Sequence, residues 1–414
     1  MKLLHTSDWH LGQSLNQFER GFEHAQFLAW LLDTLEAEQV DALLIAGDVF
    51  DNTNPSAASQ NQLYQFLTQA RQRVPCLSIV LTAGNHDSPG RLEAPAPFLS
   101  LLDAHVIGHV PRSPEGIDLD RLVLPLKDHT RQVAAWCIAM PFLRPGDVPQ
   151  VEGAQDPYMA GMAEIYAQAY ELACQKRASG QAIVAMGHCH VTGGQVSEES
   201  ERRIVIGGSE ALSASVFAPG VAYVALGHLH LAQKLGGDAT RRYCGSPLPM
   251  SFSEVDYPHQ VVIVELEGDV VLSTRDIRIP RSVALLRVPR QPAPLAQVLA
   301  ELQALSLPPD LPPAQWPFLL VRVQLSAPEP GLRALVEAAL ADKPVRLVRI
   351  ETRSANSAQV EAAALVSVDE LSNLAPAGFF ERLYQHRFGE VPPPELMAAF
   401  TELVNQSPEA GGQS

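Results

Sequence analysis

The sequence predicts an α/β protein: layered β-sheets flanked by helices, then a small α/β capping unit and C-terminal helices. Three observations predict it. From residue 2 to about 275, short apolar runs of β type alternate with helical patterns. The clearest runs, DALLIAGD (41–48), LSIVLTAGNHD (77–87), QAIVAMGHCH (181–190) and AYVALGHLH (222–230), are apolar along their length and finish in polar, glycine-containing turns. Strands of that kind, alternating with helices, belong in a sheet covered on both faces. Near residue 280 the pattern changes, and the remainder of the chain reads as separate units.

The first element is LLHTSDWHLG (3–12), which opens as an apolar run and stops at Ser7-Asp8-Trp9-His10. In extended backbone, Asp8 and His10 share one face and Trp9 takes the other. Between the first two strands Phe18, Phe22, Ala25, Leu28, Leu32 and Leu35 recur at intervals of three and four, which predicts an amphipathic helix on the sheet. Further helices are expected over about 57–73 and 159–177. The stretch IPRSVALLRVPRQPAPL (279–295) carries four prolines and reads as a linker plus one strand. PFLLVRVQL (317–325) and KPVRLVRIE (343–351) are strands on either side of a helix over 331–341. Residues 374–404 form two short helices split by Pro392–Pro394, with Phe379, Phe380, Leu383, Tyr384, Leu396, Phe400 and Leu403 lacking a strand to pack on. The expected organisation is a large α/β domain over 1–275, a small α/β cap over 280–366, terminal helices over 370–405 and a disordered tail over 406–414.

Composition narrows the function. A chain of 414 residues, 46% hydrophobic and 18% charged, holds two or three real cores and is unlike a disordered protein. A net charge of −16 argues against a protein that grips nucleic acid mainly through basic patches, although divalent cations or a basic partner can neutralise phosphates locally. Five scattered cysteines without a C-x-x-C pair favour a reducing compartment. No secretory signal is visible, and no apolar stretch approaches the roughly 18 residues of a membrane span. A cytoplasmic protein with no membrane association is expected.

The strand ends carry the chemistry. Asp8 and His10 form D-x-H; Asp48 and Asp51 form G-D-x-x-D; Asn85, His86 and Asp87 lie in G-N-H-D; His188 follows a glycine; His228 and His230 form G-H-x-H. Each group follows an apolar run, so in a layered α/β fold all five can converge on one sheet edge. Carboxylate, imidazole and amide oxygen together suit divalent manganese, iron or zinc. Seven candidate ligands exceed one tetrahedral site and fit two ions sharing a carboxylate, the arrangement that supports in-line hydrolysis of a phosphoester. Asn85 also suits a turn after Gly84. Asp51 reads either as the N-cap of the 57–73 helix or as a carboxylate orienting His86. His190 is expected to line the site without binding metal. The remaining histidines, His5, His24 and His259 among them, have no motif context and are read as surface or partly buried groups.

Taken together, HTSDWHLGQ, GDVFDNTNPS, TAGNHDSPGRL, VALGHLHLAQ and RYCGSPLPMSFSE (242–254) resemble the calcineurin-like metallophosphoesterase superfamily, and within it the nuclease subunits of bacterial ATPase–nuclease complexes. The resemblance covers about residues 1–265 strongly and the cap and terminal helices in order and size. It implies that Asp8, His10, Asp48 and His230 hold one metal, that Asp48, Asn85, His188 and His228 hold the other, and that His86 is the catalytic imidazole. It further implies exonuclease and endonuclease action on DNA, commonly with two Mn2+ ions, and an SMC-like ATPase partner that docks on the terminal helices. A homodimer is compatible with it. His190 departs from the pattern, where a non-histidine residue is expected. Two alternatives use the same motifs: a stand-alone phosphoesterase for a small phosphodiester or phosphoprotein, and a scaffold with a structural metal.

Overall fold

The computed structural model describes residues 1–114, 116–195, 211–354 and 376–406. They divide into two compact units, 1–282 and 283–414.

The first unit is built on two six-stranded sheets. Strands β1 (Lys2–Thr6), β2 (Ala42–Ala46), β3 (Ser78–Thr82) and β4 (Ala104–Ile107) run parallel in one sheet. The other holds β5 (Val123–Lys127), β6 (Val133–Ala139), β7 (Ala182–His188), β8 (Tyr223–Gly227), β9 (Gln233–Leu235) and β10 (Asp238–Tyr243), in the order β9-β10-β8-β7-β6-β5. Antiparallel strands β11 (Gln260–Glu267) and β12 (Val270–Arg278) return to complete the first sheet as β12-β11-β1-β2-β3-β4.

Period-two alternation sorts the apolar runs between two cores. Leu43, Ile45, Ile79 and Leu81 face outward onto Phe27, Leu31 and Leu35 of α1 (Gly21–Ala37) and Leu63, Phe66 and Leu67 of α2 (Ala57–Arg73). Leu44, Val80 and Val262 face inward onto Cys137, Val184, Met186 and Val224 of the second sheet. Ile165, Ala169 and Ala173 of α3 (Pro157–Lys176) join that second core. Each sheet is covered on both faces, as the apolar runs require, but one of the two covers is the other sheet. The layers are helix, sheet, sheet, helix.

His5 links the two sheets. Its Nδ1 lies 2.9 Å from the Tyr223 hydroxyl and its Nε2 3.2 Å from the Leu226 carbonyl. Burial, reinforced by the Arg242 charge, pushes its pKa down to about 3, so the ring is neutral. Nε2–H donates to Leu226 and Nδ1 accepts from Tyr223.

Local expectations differ from the structure in three places. Phe18 lies in a two-residue strand, Phe18–Glu19, ahead of α1, and Ala25 is exposed. Leu28, Leu32 and Leu35 are buried as expected, and the buried face of α1 also takes in Glu23, His24, Phe27 and Leu31, with Arg20 turned inward beside it as a buried ion pair with Glu23. The N-cap of α2 is Ser56, whose Oγ accepts from Ser59 N at 3.1 Å, so Asp51 does not cap that helix. His5, His24 and His259 are buried rather than superficial.

In the second unit, β13 (Leu285–Pro294), β14 (Phe318–Leu325) and β15 (Arg346–Ser354) form a parallel three-stranded sheet. Leu319, Val321 and Val323 pack on Val298 and Leu302 of α4 (Leu295–Ala304) and Val336 of α5 (Leu332–Ala339). The terminal helices α6 (Pro376–Phe388) and α7 (Pro394–Gln406) meet through Phe380 and Phe400, stacked 4.1 Å apart. Leu383 and Leu396 are exposed. Residues 355–375, the tail from 407, and the side chains of Phe379 and Leu403 lie outside the described residues.

Candidate metal centre

Because β1–β3 are parallel to one another, as are β7 and β8, their carboxyl ends share an edge, and the five sequence motifs leave the sheets there. At this edge the two sheets nearly touch. A Cβ on Gly227 would run into the Ala46 carbonyl oxygen, and one on Gly84 would strike the backbone and carboxylate of Asp48, so glycine is required at both positions.

Asp8 and His10 reach the site by a different route from strand alternation. β1 ends at Thr6, and both residues take left-handed backbone, with φ of 53° and 47°. Asp48 (48°) and His228 (99°) do the same. Four strained residues at one spot are what a site that over-determines its side chains produces. The strain is held by pairing between loops: Asp8 N donates to Gly47 O at 3.0 Å, and His10 N to Asp48 O at 3.0 Å. Trp9, between them, points away into the helix-side core against Phe27 and Phe66.

The Asp8 carboxylate accepts His228 N at 2.9 Å and the Ser7 hydroxyl, which also contacts Cys244 Sγ. One Asp48 oxygen accepts His86 N at 2.8 Å; the other lies 3.3 Å from His188 Nε2 and 3.7 Å from His10 Nε2. Asn85 Oδ1 stands 3.0 Å from both His188 Nε2 and His228 Nδ1. His188 Nδ1 donates to Ala46 O at 2.9 Å, which aims Nε2 at the site. Burial works against a charge on both Asp48 and His188, yet their attraction wins: Asp48 falls well below the usual carboxylate range and His188 rises to about 9. His228, buried and close to His188, is pushed down to about 3.

His86 is held by its Nδ1, 2.8 Å from the backbone carbonyl of Asp51, and its ring meets that of His10 edge-on at 4.8 Å. Thus Asp51 orients His86 through its main chain, while its carboxylate lies 3.5 Å from His10 Nδ1. Asp87, the last residue of the G-N-H-D motif, accepts Val49 N, Phe50 N and Gly84 N at 2.9–3.1 Å and ties the Asp48 and Asn85 loops together. Burial and the nearby Asp48 raise its pKa to about 6. His230 Nδ1 lies 2.9 Å from Glu254 Oε1. Glu254 closes the RYCGSPLPMSFSE stretch, but its partner lies 24 residues away, so the stretch by itself assigns it no role. His190 turns to the Gly194 carbonyl at 3.4 Å.

The residues fit divalent cations. Donor atoms of Asp8, His10 and His230 lie within 4.8 Å of one another, as do those of Asp8, Asp48 and His188, and those of His10, Asp48 and His86. Both His10 ring nitrogens are buried without a hydrogen-bond partner. An unsatisfied buried polar atom costs about 1–3 kcal/mol, and a cation facing the ring would remove that cost. The third group brings in His86, which the sequence motifs kept off the metals.

Known proteins point the same way. The calcineurin-like phosphoesterase family matches residues 1–232, and a family described as type 5 capsule protein repressor C-terminal domain matches residues 281–388. The SbcCD nuclease D subunit of Rhodobacter capsulatus is 42% identical over 92% of this chain and 93% of its own length. The Escherichia coli K12 protein of that name is 35% identical over 73% and 74%, and the Bacillus subtilis one 34% over 64% and 66%. With this family match across more than half the chain, and a relative that similar along nearly all of it, the chain belongs to the calcineurin-like phosphoesterases, on the branch of the SbcCD nuclease D subunits.

Proposed function

We propose that the chain is a metal-dependent DNA nuclease, cleaving phosphodiester bonds as exonuclease and endonuclease, and that it serves as the nuclease subunit of an ATPase–nuclease complex in DNA end processing and repair. The observation that carries this is the convergence of Asp8, His10, Asp48, Asn85, His188, His228 and His230 beside an imidazole, His86, tethered through Nδ1. Two divalent ions, Mn2+ in this reading, would be held by Asp8, His10, Asp48 and His230 on one side and by Asp48, Asn85, His188 and His228 on the other. When bound they supply Lewis acidity toward phosphoryl oxygens and an activated water. The chain's own residues do the rest. His86, with Nδ1 fixed on the Asp51 carbonyl, presents Nε2 to charge developing on the phosphate or to the leaving oxygen. Asp87 keeps the Asp48 and Asn85 loops in register while substrate binds.

The partner is an SMC-like ATPase of the SbcC type, docking on α6 and α7, whose Leu383 and Leu396 are exposed. Phe98 and Leu101, 75% and 82% exposed on successive turns after the G-N-H-D loop, suit a homodimer contact. No helix among the described residues is long and apolar enough to cross a membrane, and a cytoplasmic location fits a DNA substrate.

The test is hydrolysis by the purified chain with Mn2+, on linear DNA and on a chromogenic phosphodiester. Cleavage of DNA is expected. Turnover of the small diester alone would favour a stand-alone phosphoesterase, and turnover of neither a structural metal site.

A further inference from the structure

The segment after β10 wraps the far side of His230. Ser246 N donates to His230 O at 3.1 Å, fixing the backbone, and Glu254 meets the ring. Glu254 is fully buried. One of its oxygens takes Nδ1 of His230 at 2.9 Å and the other accepts Met250 N at 2.7 Å. Its backbone also lies against an imidazole: His259 Nδ1 is 2.9 Å from Ser246 O and Nε2 3.2 Å from Glu254 O, and the ring, kept neutral by burial, donates its one N–H to one of these two carbonyls. Farther along, Arg20 donates to Pro249 O at 2.6 Å and Gln13 to Met250 O at 3.3 Å. The carboxylate therefore has little freedom to move away from the ring.

A buried carboxylate on one ring nitrogen places the proton there and leaves the lone pair on the other. For His230 this puts the hydrogen on Nδ1 and turns Nε2 toward Asp8 and His10, its companions in the donor group. The carboxylate also makes Nε2 more basic. We propose that Glu254 is a positioning residue for the metal centre: it fixes the tautomer and orientation of His230, and through it the affinity of the site shared with Asp8 and His10. The proposal rests on the metal-dependent reading of this site.

Titration calorimetry of the full chain with Mn2+ tests it, using wild type, Glu254→Ala and Glu254→Gln. Wild type is expected to bind in two classes of site. Glu254→Ala should weaken one class about 10–100-fold, the usual effect of losing such a partner, and leave the class built on Asn85, His188 and His228 at wild-type affinity. Glu254→Gln, which keeps an acceptor for Nδ1–H, should recover part of the loss. A purely structural role would lower melting temperature without this selectivity or recovery. Wild-type Mn2+ affinity at both classes in Glu254→Ala overturns the proposal, as does equal weakening of both. If Glu254→Ala does not fold, Glu254→Gln decides: selective weakening supports the assignment, and unchanged binding overturns it. A wild-type chain that binds no Mn2+ overturns the metal reading itself, and this proposal with it.

Discussion

Asp48 stands between the two donor sets, with one oxygen on the His86 backbone and the other facing His188 and His10. Asp48→Ala therefore removes negative charge common to both sites, and the ions' mutual repulsion is left uncompensated. Metal analysis of the pure variant should give fewer than two ions per chain, with nuclease activity abolished; two tightly held ions would refute the shared role. His86 is a contrasting case, since its tether is a main-chain carbonyl rather than a donor of the cluster. His86→Ala is expected to retain metal and lose at least about 10²-fold in rate, the size of an acid–base or charge-stabilising contribution. Loss of metal would make His86 a ligand, as its place in the His10–Asp48 group allows.

Among the elements, α6 and α7 separate a partnered nuclease from an independent one. Phe380 and Phe400 already satisfy each other, so the hairpin has its own small core and presents Leu383 and Leu396 outward. Truncation after Ala375 removes the whole hairpin. If two well-buried aromatic-sized contacts of about 1.5–3 kcal/mol each are lost, affinity for the ATPase should fall about 10²–10⁴-fold. Basal Mn2+-dependent cleavage should survive, because every proposed ligand lies before residue 231. Pull-down with full-length and truncated chains checks this, and equal recovery would remove the helices from the interface.

At the scale of the molecule, two sheets are clamped at one edge, and alongside His188 on the Ala46 carbonyl, His5 is a buried polar contact between them. Its pKa is about 3 when folded, against an ordinary value of 6.5. The folded state thus binds fewer protons, and the contribution is complete above pH 6.5 and lost as pH falls from there toward 3. The loss should approach about 1.4 kcal/mol per pH unit for one such group. Chemical denaturation at about pH 7 and about pH 5, either side of the unfolded value, should show a smaller drop for His5→Gln than for wild type; equal drops would mean that His5 is not the group responsible. For assembly, replacing Phe98 and Leu101 by serine should convert a dimer to a monomer in light scattering. An unchanged mass would direct attention away from this surface.

The sequence by itself determined the alternation of strand and helix and the chemistry of the strand ends. Apolar runs such as ALLIA and AIVAMGH must be buried whatever the topology, and Asp8, His10, Asp48, Asn85, His86, His188, His228 and His230 lie in short motifs where type and spacing are local. Tertiary structure alone decided the rest. That a second sheet covers the first, that Asp8 and His10 arrive through left-handed turns rather than an extended strand, and that Asp51 uses its carbonyl rather than its carboxylate on His86 depend on loops pairing across the sheet edge. His5 and Glu254 find their partners 218 and 24 residues away. No local pattern encodes a contact of that kind, because the physical constraint on each side chain is the burial of its partner, and burial exists only once the layers have closed.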